Sequence, residues 1–107
     1  MLIYKGYNVY PGQLEEILSR HPLVAQASVI GVPAGEAGEI PVAYVVLADQ
    51  AVPDSATADA LIAHVAERVA PYQKVREVHF ADALPTSAAG KILKTELRQL
   101  HQAAHTA

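Results

Sequence analysis

Two apolar, β-branched runs, Ala25–Val32 and Pro41–Leu47, constrain the fold more than any other feature. Turn residues bound both, and Pro33-Ala34-Gly35-Glu36-Ala37-Gly38-Glu39 between them reads as a loop. The runs are therefore expected to be antiparallel neighbours with much of their surface buried. Val75–Phe80 alternates in the manner of a third, less buried strand.

Helices are expected around this sheet. Pro11 fits the first position of one that carries Leu14, Ile17 and Leu18 on a single face, with Glu15 and Glu16 near its positive end. It should end near Arg20, because Pro22 disfavours helical geometry at His21. After a polar connector, Gln50–Ser55, a second helix spans about Thr57–Val69 with Leu61, Ile62, Val65 and Val69 on one face. Leu93, Leu97 and Leu100 predict a last helix that begins after Lys91 and fades in His101–Ala107. At the front, Leu2–Lys5, a Gly6-Tyr7 turn and Asn8–Tyr10 form a small separate hairpin. The plan is α+β: a small mixed sheet of about three strands packed with two to three helices, preceded by a short β-hairpin.

At 107 residues the chain has room for one domain. A net charge of -3 without any Lys/Arg-rich run gives no indication of a nucleic-acid surface. With no cysteine there is neither a disulfide framework nor a thiolate site. No apolar stretch is long enough to cross a bilayer, the start lacks a signal-peptide layout, and the expected location is the cytoplasm.

The chemistry concentrates in Leu84–Arg98, where the small-residue loop Ser87-Ala88-Ala89-Gly90 delivers Lys91 to the mouth of the last helix. The reading puts Lys91 and Lys94 in that helix's first turn, where exposed backbone N–H groups make positive charge unwelcome. A cation held there is expected to meet an anion, a phosphate or a carboxylate. The plainer alternative is an ordinary solvated lysine.

Leu84-Pro85-Thr86-x-x-x-Gly90-Lys91-x-x-Lys94-x-x-Leu97-Arg98 resembles the closing segment of the AMP-forming acyl-CoA synthetases, within the adenylate-forming superfamily. The segment Ile3 to Glu15 resembles that family's Gly-x-Asn-Val-x-Pro-x-x-x-Glu pattern, which follows its interdomain hinge. His21-Pro22-x-Val24, Gly31-Val32-Pro33 with Gly38-Glu39, and Ala70-Pro71-Tyr72 also look like the family. The resemblance covers nearly the whole chain, in order.

It implies that residues 1–107 form a mobile C-terminal lid domain, whose partner is a large N-terminal domain, absent from this chain, that binds ATP and the acid. ATP and coenzyme A are then substrates of the full enzyme, with Mg2+ accompanying ATP and none held stably by this chain alone. An acid is first activated to an acyl-adenylate, and the acyl group then passes to the thiol of CoA. The resemblance makes Lys91 the adenylation lysine, with Ser87 and Gly90 in its supporting loop, and assigns Lys5, Gly6, Tyr7 and Asn8 to the thioester step. Within that step Asn8 is expected to face the adenylate phosphate as a hydrogen-bond donor, and Tyr7 to line the same passage. Gln73 stands where many relatives carry lysine, and Ile3 replaces a lysine of the coumaroyl-CoA ligases, which points towards a fatty or related acid. The isolated chain should be inactive. The alternatives are a free-standing binding module that docks onto a separate adenylation domain or carrier protein, and the equivalent domain of a peptide-synthetase unit.

Other features have structural readings. His101 and His105 are spaced for a metal but lack a third ligand, so a solvated tail is expected. His21, His64 and His79 are scattered. Glu15 and Glu16 answer the helix dipole, and Arg98 is expected in a structural salt bridge.

Overall fold

The computed structural model describes residues 2–49 and 51–105. Their order is β1 (Leu2–Tyr4), β2 (Tyr7–Val9), α1 (Pro11–Ser19), β3 (Val24–Pro33), β4 (Glu39–Leu47), α2 (Ser55–Ala66), β5 (Glu77–Phe80) and α3 (Lys94–His105). The α+β plan holds. β3 and β4 are antiparallel across a loop with one 3₁₀ turn, Gly35–Ala37, while β5 runs parallel to β4, giving the order β3-β4-β5. Among the described residues no helix is long and apolar enough to cross a membrane.

Strand alternation sends side chains to both faces of the sheet, and each face has its own core. On one side Val29, Ala43 and Val45 pack with Leu14 and Leu18 of α1, Leu61 and Val65 of α2, and Leu2 and Val9 of the hairpin. On the other, Ile30 and Val42 pack with Leu84 and with Leu97 of α3. The sheet thus separates the hairpin's core from the core under the Lys91 loop. Replacing the fully buried Leu14 by alanine is expected to cost about 2–5 kcal/mol. The check is a lower urea midpoint at unchanged m-value.

Several boundaries differ from the expectation, each for a local reason. Helix α2 begins at Ser55 because the Asp54 carboxylate accepts the Thr57 N–H at 2.8 Å, and it ends at Ala66 rather than near Val69. Gln50, the start of the expected connector, lies outside the described residues. Glu15 and Glu16 are not in the first turn of α1, so the dipole does not account for them. The hairpin is not separate: Lys5 N–H donates to Ala37 O at 2.7 Å and Tyr4 bridges Gly38.

The C-terminal expectation changes most. Helix α3 continues to His105, and His101, far from a solvated tail, is 5% exposed and bonded through Nδ1 to Tyr44 Oη at 2.7 Å. Burial, followed by the nearby Glu77 carboxylate, pushes the Tyr44 hydroxyl above its ordinary pKa. The side chain of His105 lies outside the described residues.

His21 and His64 meet edge to face with ring centroids 4.8 Å apart, and His21 Nδ1 accepts the Leu23 N–H at 3.1 Å. Desolvation, then His64 and Arg68, lowers the His21 pKa from its ordinary 6.5. The unfolded chain therefore binds the proton more readily, so this contribution to stability is complete above 6.5 and is lost as pH falls through the lower folded value. His21→Gln is expected to flatten that acid-side slope in thermal melts recorded across the window.

Candidate functional site

The first candidate segment is the β1–β2 turn. Its central residues are Lys5 and Gly6, not Gly6 and Tyr7, and β1 accordingly ends at Tyr4. Both have positive φ, 49° and 84°, the combination that a tight primed hairpin turn requires. Glycine accepts this freely, whereas Lys5 carries strain. A Cβ added at Gly6 would meet nothing within 4 Å, so its lack of a side chain leaves open space on the outside of the turn.

Register decides where the neighbours point. Leu2 pairs with Val9, Ile3 with Asn8 and Tyr4 with Tyr7. Leu2 and Val9 are buried, and alternation puts the half-buried Tyr4 and the more exposed Tyr7 on their face, while Ile3 and Asn8 share the opposite, exposed face. Tyr7 stacks on Tyr72 with centroids 4.5 Å apart, and Tyr4 is held by Arg76, whose Nη2 donates to the phenol oxygen at 2.7 Å. The four expected residues share one hairpin, but Tyr7 and Asn8 do not share a face. Gln73 has an internal role in place of a cation: it accepts the Ala70 N–H at 3.1 Å and donates to Gln13 at 3.3 Å.

The second candidate segment is the Lys91 loop. Thr86 and Ile92 bridge, Ser87 N–H donates to Lys91 O at 2.8 Å, and Gly90 N–H donates to Ser87 O at 2.9 Å. With Gly90 at φ 83°, this is a turn closed by a glycine bulge. The Ser87 hydroxyl also accepts the Lys91 N–H at 3.3 Å, so Ser87 and Gly90 do brace the loop.

Lys91 itself is not in the first turn of α3, which starts at Lys94, and the dipole argument does not apply to it. Its side chain is exposed and has no ion pair among the described residues. Lys94 does occupy the unfavourable helix start, and its anion comes from within the chain: Nζ lies 2.7 Å from Glu15 Oε2. Sequence reasoning gave Glu15 a dipole role and missed its pairing, because its partners lie too far along the chain to be read from spacing. Arg98 makes no ion pair among the described residues, contrary to expectation.

His79 Nε2 lies 2.9 Å from Glu77 Oε1 and its ring stacks on Tyr44, so it is not isolated as its spacing suggested. Among the described residues no three His, Asp or Glu groups gather in a way that could hold a metal ion.

The fold and its two exposed loops define a small α+β domain that presents a lysine from each of two separately packed sides. The chain belongs to the AMP-binding enzyme C-terminal domain family, whose model matches residues 13–91. It is 48% identical over 98 residues to 4-coumarate--CoA ligase-like 9 of Oryza sativa subsp. japonica, covering 92% of this chain and 17% of that protein. An ATP-bound RpMatB-BxBclM chimera superposes with a TM-score of 0.89 at 36% identity, over 94% of this chain and 20% of the other. Mycobacterium tuberculosis fatty acyl CoA synthetase does so with 0.86 at 36% identity, over 97% and 20%. The chain spans about a fifth of the length of the relatives it matches. In those relatives the matched domain is one part of a longer chain.

Proposed function

We propose that this chain is the mobile C-terminal domain of an acid–thiol ligase that serves two half-reactions with two different sides. Lys91 acts when ATP and a carboxylic acid form acyl-AMP and pyrophosphate, and the Lys5-Gly6 turn acts when CoA attacks the adenylate. The observation that carries the reading is the sheet itself: the segments that carry Lys5 and Lys91 are anchored on opposite faces of it, the first through Leu2 and Val9 and the second through Leu84.

In adenylation an anionic carboxylate approaches an anionic phosphate, and a preorganised cation between them offsets the repulsion as charge shifts in the transition state. An exposed lysine without an internal partner on a backbone-braced loop suits that work. In the second half-reaction the pantetheine arm needs a close approach to backbone, which Gly6 offers, and Lys5 would meet a CoA phosphate or line the path. Asn8 faces outward as a hydrogen-bond donor, whereas Tyr7 supports the turn through its stack on Tyr72. The Mg2+ that accompanies ATP neutralises phosphate charge when bound.

A fatty or related acid is favoured by Ile3, while the 4-coumarate--CoA ligase-like name belongs to a relative. We place the enzyme in the cytoplasm. The test measures, in a ligase carrying this chain, acid-dependent pyrophosphate release and thioester formation from presynthesised acyl-adenylate. Substitutions at Lys91 should affect the first and those in the Lys5-Gly6 turn the second. Equal loss of both rates from either side would overturn the division of labour.

A further inference from the structure

Glu15 is a carboxylate of α1 whose contacts reach two other elements, β3 and α3. It projects from α1 to the open edge of β3, where its Oε2 accepts the Val29 N–H at 2.9 Å and the Ser28 hydroxyl at 3.4 Å. The same oxygen meets Lys94 Nζ at 2.7 Å, and the Glu15 side chain is only 23% exposed. One carboxylate thus joins a helix on one side of the sheet, the sheet edge, and the first residue of the helix on the other side. An unpaired strand N–H is satisfied, and a cation is held where the α3 dipole alone would repel it.

The position of Lys94 gives this tie a consequence. Leu93 N–H donates to Pro85 O at 2.8 Å, so the chain leaves the Lys91 loop directly into the residue that Glu15 grips. Leu97, with the half-buried Ile92 before the helix, anchors the start of α3 by apolar burial, and the ion pair to the sheet edge adds a directional tie at its first residue.

We infer that Glu15 is a positioning residue for Lys91, acting through Lys94 to set where the Lys91 loop stands relative to the sheet. The inference rests on the reading of Lys91 as the adenylation lysine. Glu15 touches no reacting atom in this scheme. Lys94 is likewise a positioning residue, its charge neutralised within the domain.

The experiment compares Glu15→Gln, Lys94→Met, Lys94→Arg and Lys91→Ala in a ligase carrying this chain. Glutamine keeps an acceptor for Val29 and Ser28 while removing the charge, and methionine keeps most of the Lys94 stem. A displaced catalytic group loses rate rather than substrate affinity, so Glu15→Gln and Lys94→Met should each lower kcat for pyrophosphate release about tenfold or more, leaving KM for ATP within about twofold. Thioester formation from presynthesised acyl-adenylate should stay within about twofold, and Lys94→Arg should recover most of the lost rate. The double variant should be no slower than the worse single one, because both remove the same ion pair.

If Lys91→Ala abolishes pyrophosphate release while Glu15→Gln and Lys94→Met leave it unchanged, the tie is overturned and the Lys91 reading stands. If Lys91→Ala itself has no effect, that reading fails and the positioning role falls with it. Equal loss of both half-reactions in Glu15→Gln and Lys94→Met would make the ion pair a general support of the fold and also overturn the inference.

Discussion

Replacing Lys91 by alanine is expected to slow acid-dependent pyrophosphate release about 10²–10³-fold, the usual cost of deleting one preorganised group that meets developing charge. Thioester formation from presynthesised acyl-adenylate should change by no more than about twofold, because a group used in one transition state is silent in another. The structure makes this substitution clean. The loop is braced by main-chain bonds from Ser87 to Lys91 and from Gly90 to Ser87, and by the Ser87 hydroxyl, none of which uses the lysine side chain. The side chain has no ion pair among the described residues, so removing it leaves no buried charge behind. A rate loss would therefore report lost charge at the reacting atoms and not a collapsed loop. Lys91→Arg should recover little, since a planar guanidinium cannot replace a compact ammonium on a loop closed this tightly. Unchanged rates in both half-reactions would reduce Lys91 to a surface lysine and the domain to a docking module.

Local chemistry made most of the fold legible. The β-branched runs that became β3 and β4, the Pro11 start of α1 and the Leu spacing of α3 all express periods of two or 3.6 residues, which lie on the surface of a sequence. What stayed hidden depends on residues far apart in the chain. The carboxylate that answers the Lys94 charge is Glu15, the ring under Tyr7 is Tyr72, and the cation on Tyr4 is Arg76. None of these pairs shares an element, so no periodicity could bring them together. His101 shows the same limit. Beside an Ala/Thr terminus it resembles a frayed tail, yet Tyr44 from the middle of the sheet captures it. The candidate segments divide similarly: Gly90-Lys91 and the hairpin around Gly6 were readable as short motifs, whereas the turn residues themselves and the face each hairpin side chain takes came only with strand register.

Gly38→Ala should have the largest effect on stability among the glycines and should strike the half-reaction that Lys91→Ala spares. Gly38 sits at φ 90°, ψ -106°, and an added Cβ would lie 2.5 Å from the Ile3 carbonyl oxygen. That oxygen is main chain and cannot step aside without moving β1. The forced backbone alone costs about 1–3 kcal/mol, and the contact adds to it. A loss near 3 kcal/mol in a domain of this size lowers Tm by more than about 10 °C. Gly6→Ala is the informative control. Its φ of 84° is also unfavourable, but the new methyl meets nothing within 4 Å, so its stability cost should be only about 1–2 kcal/mol. The two variants then separate placement from access. Gly38→Ala pushes away the hairpin that Ala37 and Gly38 hold, and so should slow thioester formation by displacing Lys5 and Gly6 together. Gly6→Ala leaves the hairpin docked and adds one methyl group on the outside of the turn. If the pantetheine arm passes there, Gly6→Ala should slow the thioester step out of proportion to its small loss of Tm. If that step instead tracks Tm alone across both variants, Gly6 is present for turn geometry and the thiol takes another route.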